Sequence, residues 1–174
     1  MELSIQDLGA IGEFFGFLAV LVTLFYLARQ TKQGVDLNRA TEQRILIDQC
    51  NKYFRVTVEP EYLSAIRKGL VSYRSLTNDE QARAWVVFCQ WLNHYEQCIY
   101  AHEAGLLPTP VLIAFQEFAL GFIVSPGGRE FWDDLGSNFG EDLQKAIAGH
   151  LQRGDLPAPI YENFQWLKLE DEQA

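Results

Sequence analysis

The chain has 174 residues, of which 14 are basic and 23 acidic, and its net charge is −9. This length predicts one domain plus an anchor. The charge argues against nucleic acid as a routine ligand. From residue 130 to the end, ten acidic residues stand against three basic ones, whereas residues 29–55 hold six basic residues and three acidic ones. Three cysteines without a CxxC pair agree with a reducing compartment.

The segment from Leu8 to Ala28 predicts a transmembrane helix. Its 21 residues are apolar except for Glu13, Thr23 and the phenol of Tyr26, and a helix of this length crosses a hydrocarbon core of about 30 Å. A core helix of a soluble domain is the main alternative. A cleaved signal peptide is disfavoured because no basic residue precedes the apolar run.

Charge on either side of the segment predicts its orientation. Arg29, Lys32 and Arg39 follow the apolar run, and no basic side chain precedes it. The positive-inside rule then places the N-terminus outside and the rest of the chain in the cytoplasm. The same three residues form a basic neck that suits anionic lipid headgroups.

Small residues recur along one side of the predicted span. The small-residue strip consists of Gly9, Gly12, Gly16, Ala19 and Thr23. At about 100° per residue these positions fall within an arc of roughly 80°. Small residues let membrane helices approach each other closely, and Gly12 with Gly16 forms a GxxxG pair. The strip favours a homo-oligomer, although small residues are also frequent in membrane helices in general.

Glu13 lies beside the small-residue strip. A carboxylate in hydrocarbon costs several kcal/mol, so it normally faces a partner, a protein interior or water. One interpretation is a ring of Glu13 side chains around a central pore. The other is snorkelling, in which Glu13 reaches the nearby headgroups.

The remaining chain predicts an all-α fold without strands or repeats. The expected parts are a short outside segment and transmembrane helix over 1–28, a cytoplasmic neck helix over 29–57, a helical domain over 58–156 and an acidic, extended or disordered tail over 157–174. The span should continue without a break to about Tyr53, since no proline occurs before Pro60. Later helices are predicted over about 61–72, 78–104, 108–124, 129–138 and 141–152.

Local patterns refine these helices. Thr77 and Glu80 have the spacing of a capping box, and Gly105 should end that helix. Gly127 and Gly128 predict a turn with positive φ before the next helix, and Arg129 is spaced to pair with Asp133. One face of the helix that follows Thr77 should be buried: Trp85, Phe88, Cys89, Leu92, Tyr95 and Ile99.

The apolar helix over 108–124 raises the question of a second span. It has only about 17 residues and carries Gln116 and Glu117 near its middle. A core helix of the helical domain is therefore the better interpretation.

The sequence offers few candidates for catalytic or metal-binding residues. His94, Cys98 and His102 are the best metal candidates, but three ligands in line along one helix cannot close a tetrahedral site. No GxSxG, HExxH or phosphate-binding glycine loop occurs. The sequence thus predicts no catalytic residue, no metal and no cofactor, and a protein that is not an enzyme.

Two motifs carry a resemblance to a known group of proteins. The first motif is Gly12-Glu13-x-x-Gly16-x-x-Ala19-Val20-x-x-Thr23-Leu24-x-Tyr26-Leu27-Ala28-x-Gln30-x-Lys32, and the second is Ser125-Pro126-Gly127-Gly128-Arg129-x-Phe131-Trp132. Together they resemble an uncharacterised family of small bacterial inner-membrane proteins. The resemblance implies one N-terminal span and a helical cytoplasmic domain, and it implies no activity.

A looser similarity, in topology alone, is to the pore-forming accessory membrane proteins of type VI CRISPR systems. Those proteins carry a HEPN-like domain whose nuclease motif is an arginine, four to six residues, and then a histidine. Here none of the three histidines, His94, His102 and His150, follows an arginine at that spacing. The departure argues against RNA cleavage.

Two functional hypotheses follow. The first is a homo-oligomeric single-span membrane protein, in its sharpest form a ring with a central pore lined near Glu13. The alternative is a membrane-anchored helical module that recruits a cytoplasmic protein partner. Expected partners in the first case are further copies of the chain and membrane lipid.

Overall fold

The computed structural model describes residues 5–169, and over these residues the chain is helical and contains no strand. The predicted all-α fold is confirmed, with a long apolar N-terminal helix followed by a helical bundle. The helices are α1 (Ile5–Thr57), α2 (Pro60–Val71), α3 (Asn78–Glu103), α4 (Thr109–Ile123), α5 (Pro126–Leu135), α6 (Glu141–Arg153) and α7 (Ile160–Asn163), with 3₁₀ turns at Gly136–Asn138 and Gln165–Leu167. Residues 1–4 and the acidic run Glu170-Asp171-Glu172 lie outside the described residues.

Two compact units divide the chain between Thr41 and Glu42. The first unit is the N-terminal part of α1, in which every side chain from Gly12 to Thr41 is exposed. The prediction of one uninterrupted helix to about Tyr53 is confirmed, since α1 ends at Thr57. This helix is long and apolar enough to cross a membrane.

The second unit, which we call the helical body, begins at Glu42 rather than at residue 58. The last turns of α1 belong to it because Leu46 is buried in a small cluster with Cys98, Ala101 and Leu107, and Phe54 packs edge-on against Phe118. The part of the predicted neck after Thr41 is therefore packed in the body.

Helix α3 is the centre of the body and packs against α2, α4 and α6. Its predicted capping box is present: the Thr77 hydroxyl accepts from the Glu80 amide, and the Glu80 carboxylate accepts from the Thr77 amide. Gly105 follows the helix with φ +70°, a conformation that favours glycine. Phe88 on α3 lies in an aromatic cluster with ring centroids 4.5 Å from Phe122 and 5.5 Å from Phe131.

The predicted buried face of α3 is wrong at one position. Trp85 is 48% exposed, because the buried arc is centred on Ala84, Val87, Phe88 and Trp91 instead. The periodicity indicated a helix correctly, but the register of its core face depends on which neighbours cover it.

The expected positive-φ turn at Gly127 and Gly128 is also wrong. Neither glycine has a positive φ, and both lie inside α5, which starts at Pro126 with the Ser125 hydroxyl accepting from the Gly128 amide. Their role is close packing. A Cβ on Gly127 would overlap the Gly69 carbonyl oxygen of α2. The predicted pair between Arg129 and Asp133 is confirmed, at 3.4 Å between Nε and Oδ1 and exposed to solvent.

The segment after Pro157 is not an extended tail in its described part. Ile160 and Leu167 are buried in the main core, and Phe164 packs edge-on against Phe118. The Arg67 Nε donates to the Trp166 carbonyl at 2.8 Å. The acidic composition of this region suggested a solvated tail, but these three apolar side chains pack against the body.

Helix α4 contributes its C-terminal half to the core, as predicted for a core helix. Leu120, Phe122 and Ile123 are buried, and α4 packs against α3 and α5. Taken together, α4 and the segment Pro126–Asn138 are long and apolar enough to form one broken membrane span, with a bend of 94° between them. The burial of α4 within the body favours the core interpretation.

Replacing Gly127 tests the close approach of α2 and α5. We expect Gly127→Ala to lower the unfolding free energy by about 3 kcal/mol or more, because the two helices must separate to admit a methyl group. Urea denaturation of the detergent-solubilised chain, followed by tryptophan fluorescence, measures this, since all four tryptophans lie in the body. Gly149→Ala is the matched control: its Cβ meets only the flexible end of Arg153, so it should not destabilise the body. Equal stability of both variants would contradict the packing role of Gly127.

Candidate functional site

The small-residue strip lies on one continuous helix, as its spacing required. Gly9, Gly12, Gly16, Ala19 and Thr23 are all exposed. A Cβ added to Gly9, Gly12 or Gly16 would meet nothing within 4 Å. The Thr23 hydroxyl donates to the Ala19 carbonyl at 2.8 Å, so its polarity is satisfied within the helix. The strip is exposed along its length, and its backbone is open to close approach by another helix.

Bulky side chains cover the opposite side of the same helix. Phe14, Phe25 and Val22 are between 62% and 73% exposed. The helix therefore has a flat side, formed by the small-residue strip, and a bulky side opposite to it. It gives a neighbouring membrane helix two very different surfaces to pack against.

Glu13 is exposed beside the strip. At about 100° per residue it lies roughly 40° from Gly9, on the edge of the flat side. Among the described residues, no basic side chain forms an ion pair with it. A carboxylate at this position, within an apolar run, needs water or a neighbouring polar group to be stable.

The basic neck residues Arg29, Lys32 and Arg39 are exposed. Arg39 lies 4.0 Å from Asp36, with both side chains more than half exposed, so that pair contributes little to stability. The exposed positions of these cations suit an interaction with anionic headgroups.

The body contains an apolar cavity that the sequence did not predict. It has a volume of about 130 Å³ and lies between the last turns of α1 and helices α3 and α4. It reaches the surface at Ala114, which is exposed. Seven of its nine lining side chains have aromatic rings. The lining residues are Cys50, Tyr53, Phe54, Trp91, His94, Tyr95, Ala114, Phe115 and Phe118.

His94 is the most unusual residue in this lining. It is 4% exposed, and within the described chain neither ring nitrogen has a hydrogen-bond partner. Its ring packs edge-on against Phe115, with centroids 4.6 Å apart, and against Tyr53 at 5.7 Å. Burial among these rings lowers the pKa of His94 to about 4, because the apolar surroundings penalise the charged imidazolium. The imidazole is neutral at physiological pH.

The three candidate metal ligands do not converge. His94 faces the aromatic lining, Cys98 is buried against Leu46 and Ala101, and the His102 Nδ1 donates to the Leu107 carbonyl at 2.8 Å. In the part of the chain that the structure describes, no group of three His, Cys, Asp or Glu side chains has metal-binding geometry. Each of the three residues has a packing or hydrogen-bonding role.

The cysteines of the body are protonated thiols. Burial raises the pKa of Cys98 to about 12 and that of Cys89 to about 11, so neither supplies a thiolate nucleophile at neutral pH. Burial also raises the pKa of Cys50, which lines the cavity. The cavity lining therefore offers neutral groups only.

No protein-family model, no curated protein and no solved structure matches this chain.

The sequence contains a pattern of aromatic residues that agrees with the cavity but does not distinguish it from a filled core. Trp91, His94, Tyr95, Phe115 and Phe118 have helical spacing, which is typical of any aromatic core. Only the packing of α1 against α3 and α4 shows that these rings leave a gap.

The buried imidazole predicts a pH-dependent stability. The unfolded chain binds a proton at His94 with a pKa near 6.5, whereas the folded body binds it only near pH 4. The free energy of unfolding is therefore highest above pH 6.5 and decreases as the pH falls toward 4. The decrease between pH 7 and pH 5 is about 2 kcal/mol. We expect His94→Phe to remove this loss while keeping a ring in the lining. Urea denaturation at pH 7, 6 and 5 measures it.

His102→Gln serves as the control for this experiment because His102 already has a hydrogen-bond partner. It should keep the pH dependence of the unmodified chain. If His94→Phe lost as much stability as the unmodified chain over this pH range, the low pKa of His94 would be refuted.

Proposed function

We propose that the protein is a homo-oligomeric single-span membrane protein whose small-residue strip forms the contact between copies. In its sharpest form the assembly is a ring with a central pore near Glu13. The expected location is a bacterial inner membrane, with the N-terminus outside and the helical body in the cytoplasm. The resemblance of the two motifs to small bacterial inner-membrane proteins supports this location.

The observation that carries the proposal is the complete exposure of α1 from Gly12 to Thr41. Large apolar side chains along Phe14 to Leu27 have no cover within the chain. Each costs about 1.5–3 kcal/mol when it is left in water instead of an apolar environment. Lipid, other copies of the helix, or both must supply that environment.

The small-residue strip is the surface expected to meet another copy. Burying bulky apolar side chains gives no advantage inside lipid, so helices associate where their backbones approach closely. The open space above Gly12 and Gly16 permits such an approach. The bulky side with Phe14 and Phe25 then faces acyl chains.

Glu13 is the residue that would line or approach a passage in this arrangement. Because it lies at the edge of the strip, packing copies along the strip would bring the Glu13 carboxylates toward one another and toward a shared lumen. Water in that lumen would solvate them, which removes the cost of a carboxylate in hydrocarbon. Snorkelling to the headgroups is the competing outcome and requires no pore.

The basic neck supports the proposed orientation. Arg29, Lys32 and Arg39 follow the apolar run, and cytoplasmic flanks of membrane helices carry such an excess of basic residues. Anionic headgroups of the cytoplasmic leaflet would add about 1 kcal/mol per basic residue near the surface.

Oligomer formation is tested by enlarging the strip. Gly16→Leu should shift the detergent-solubilised protein from oligomer to monomer, because the added side chain keeps the helices apart. Native mass spectrometry or light scattering with detergent correction measures the mass. Ala28→Leu adds similar bulk on a side of the helix away from the strip and should leave the mass unchanged. A monomeric unmodified protein would refute the oligomer.

The pore is tested by neutralising its proposed lining. Glu13→Gln keeps the size of the side chain and removes its charge, so we expect a reduced cation conductance across planar bilayers that contain the protein. Glu42→Gln, which lies at the start of the body, should conduct like the unmodified protein. Equal conductance of Glu13→Gln and the unmodified protein would remove the ion path while leaving the oligomer standing.

The alternative function, an anchored module that recruits a cytoplasmic protein, draws on exposed aromatic residues of the body. Trp85 is 48% and Trp166 36% exposed, and tryptophan is enriched where proteins bind each other. Crosslinking in cells discriminates the two functions. Contacts between copies only would favour the oligomer, and a reproducible second protein lost in Trp85→Ala would favour the anchored module.

A further inference from the structure

The cavity between α1, α3 and α4 has the size of one small ring. Its volume is about 130 Å³, and a protein cavity of about 150 Å³ holds one benzene molecule. An exposed alanine, Ala114, belongs to its lining, so the cavity borders the surface of the body at this residue. Larger ligands such as nucleotides do not fit in this volume.

The lining favours an aromatic ligand over an aliphatic one. The rings of Phe118 and Trp91 meet edge-on with centroids 5.2 Å apart, and His94 and Phe115 do so at 4.6 Å. A lining built from ring edges and faces offers a flat ring the offset and edge-on geometries that aromatic pairs prefer. Each such contact adds about 0.5–1.5 kcal/mol beyond burial of area.

The ligand should be uncharged. The lining includes no Asp, Glu, Lys or Arg side chain. An aromatic carboxylate or ammonium would lose its hydration without gaining an opposite charge, and that loss costs several kcal/mol.

The ligand should also carry one hydrogen-bonding group. Within the described chain the Trp91 Nε1 and both nitrogens of His94 lack partners, although each residue is only 4% exposed. Buried polar groups without partners are rare and costly. In the structure these nitrogens are closed off from the cavity. A hydroxyl group donates and accepts, so it can pair with the neutral imidazole or with the indole N–H once that ring rotates to turn its nitrogen toward the ligand.

We propose that this cavity binds a single-ring aromatic alcohol of phenol size, with His94 and Trp91 as the residues that recognise its hydroxyl group. The binding site lies entirely within the body and does not depend on the oligomer or on the pore.

Fluorine NMR of 4-fluorophenol tests the site, with the full-length chain in lipid nanodiscs. Nanodiscs without protein report the partition of the compound into lipid. We expect saturable line broadening above that background, and binding about tenfold tighter than that of fluorobenzene, which is the advantage of one satisfied buried hydrogen bond. The charged analogue 4-fluorobenzoate should not bind.

Two variants and one control make the result specific. Ala114→Trp should abolish saturable binding by filling the opening, whereas Ala82→Trp, at an exposed position of α3, should bind 4-fluorophenol as the unmodified chain does. His94→Phe should reduce the preference for 4-fluorophenol over fluorobenzene severalfold and leave fluorobenzene binding in place. The proposal is overturned by a signal no larger than that of protein-free nanodiscs, by unchanged binding in Ala114→Trp, or by equal affinities for the two compounds in the unmodified chain.

Discussion

The free energy of apolar surface in water is the constraint on which both parts of this protein depend. Along α1, eleven large apolar or aromatic side chains between Phe14 and Leu27 are exposed. Leaving them in water would cost on the order of 20 kcal/mol, which exceeds the roughly 5–15 kcal/mol by which whole domains are stable. The cover must come from outside the chain, and this requirement underlies the proposed membrane location and the proposed contact between copies.

The helical body meets the same constraint internally. Its core is built around Phe88, whose ring contacts Phe122 and Phe131, and helices α2 and α5 approach closely enough that only glycine fits at Gly127. Such packing leaves little space for adjustment. The cavity beside His94 is therefore unusual. Closely packed cores rarely contain a gap of this size, and buried polar groups rarely lack hydrogen-bond partners.

The two parts support different kinds of function. The exposed helix supports the proposed membrane location and the proposed contact between copies, because its small residues lie on one side and its bulky residues on the other. The body provides a binding volume with neutral, aromatic walls.

The sequence alone determined the features that depend on local chain chemistry. The length and apolarity of the first helix, the capping box of Thr77 and Glu80 and the all-α class follow from residues close together in the chain. So does the position of the small-residue strip on one side of a helix, since it needs only the helical repeat.

Tertiary structure decided what depends on neighbours from distant parts of the chain. It placed Trp85 outside the core, gave Gly127 a packing role against Gly69 instead of a turn, and folded Ile160 and Leu167 back into the body. It also created the cavity beside His94, because that gap exists only between helices that meet far apart in sequence. Periodicity specifies which residues share a face, whereas only the packed arrangement of helices specifies what that face meets.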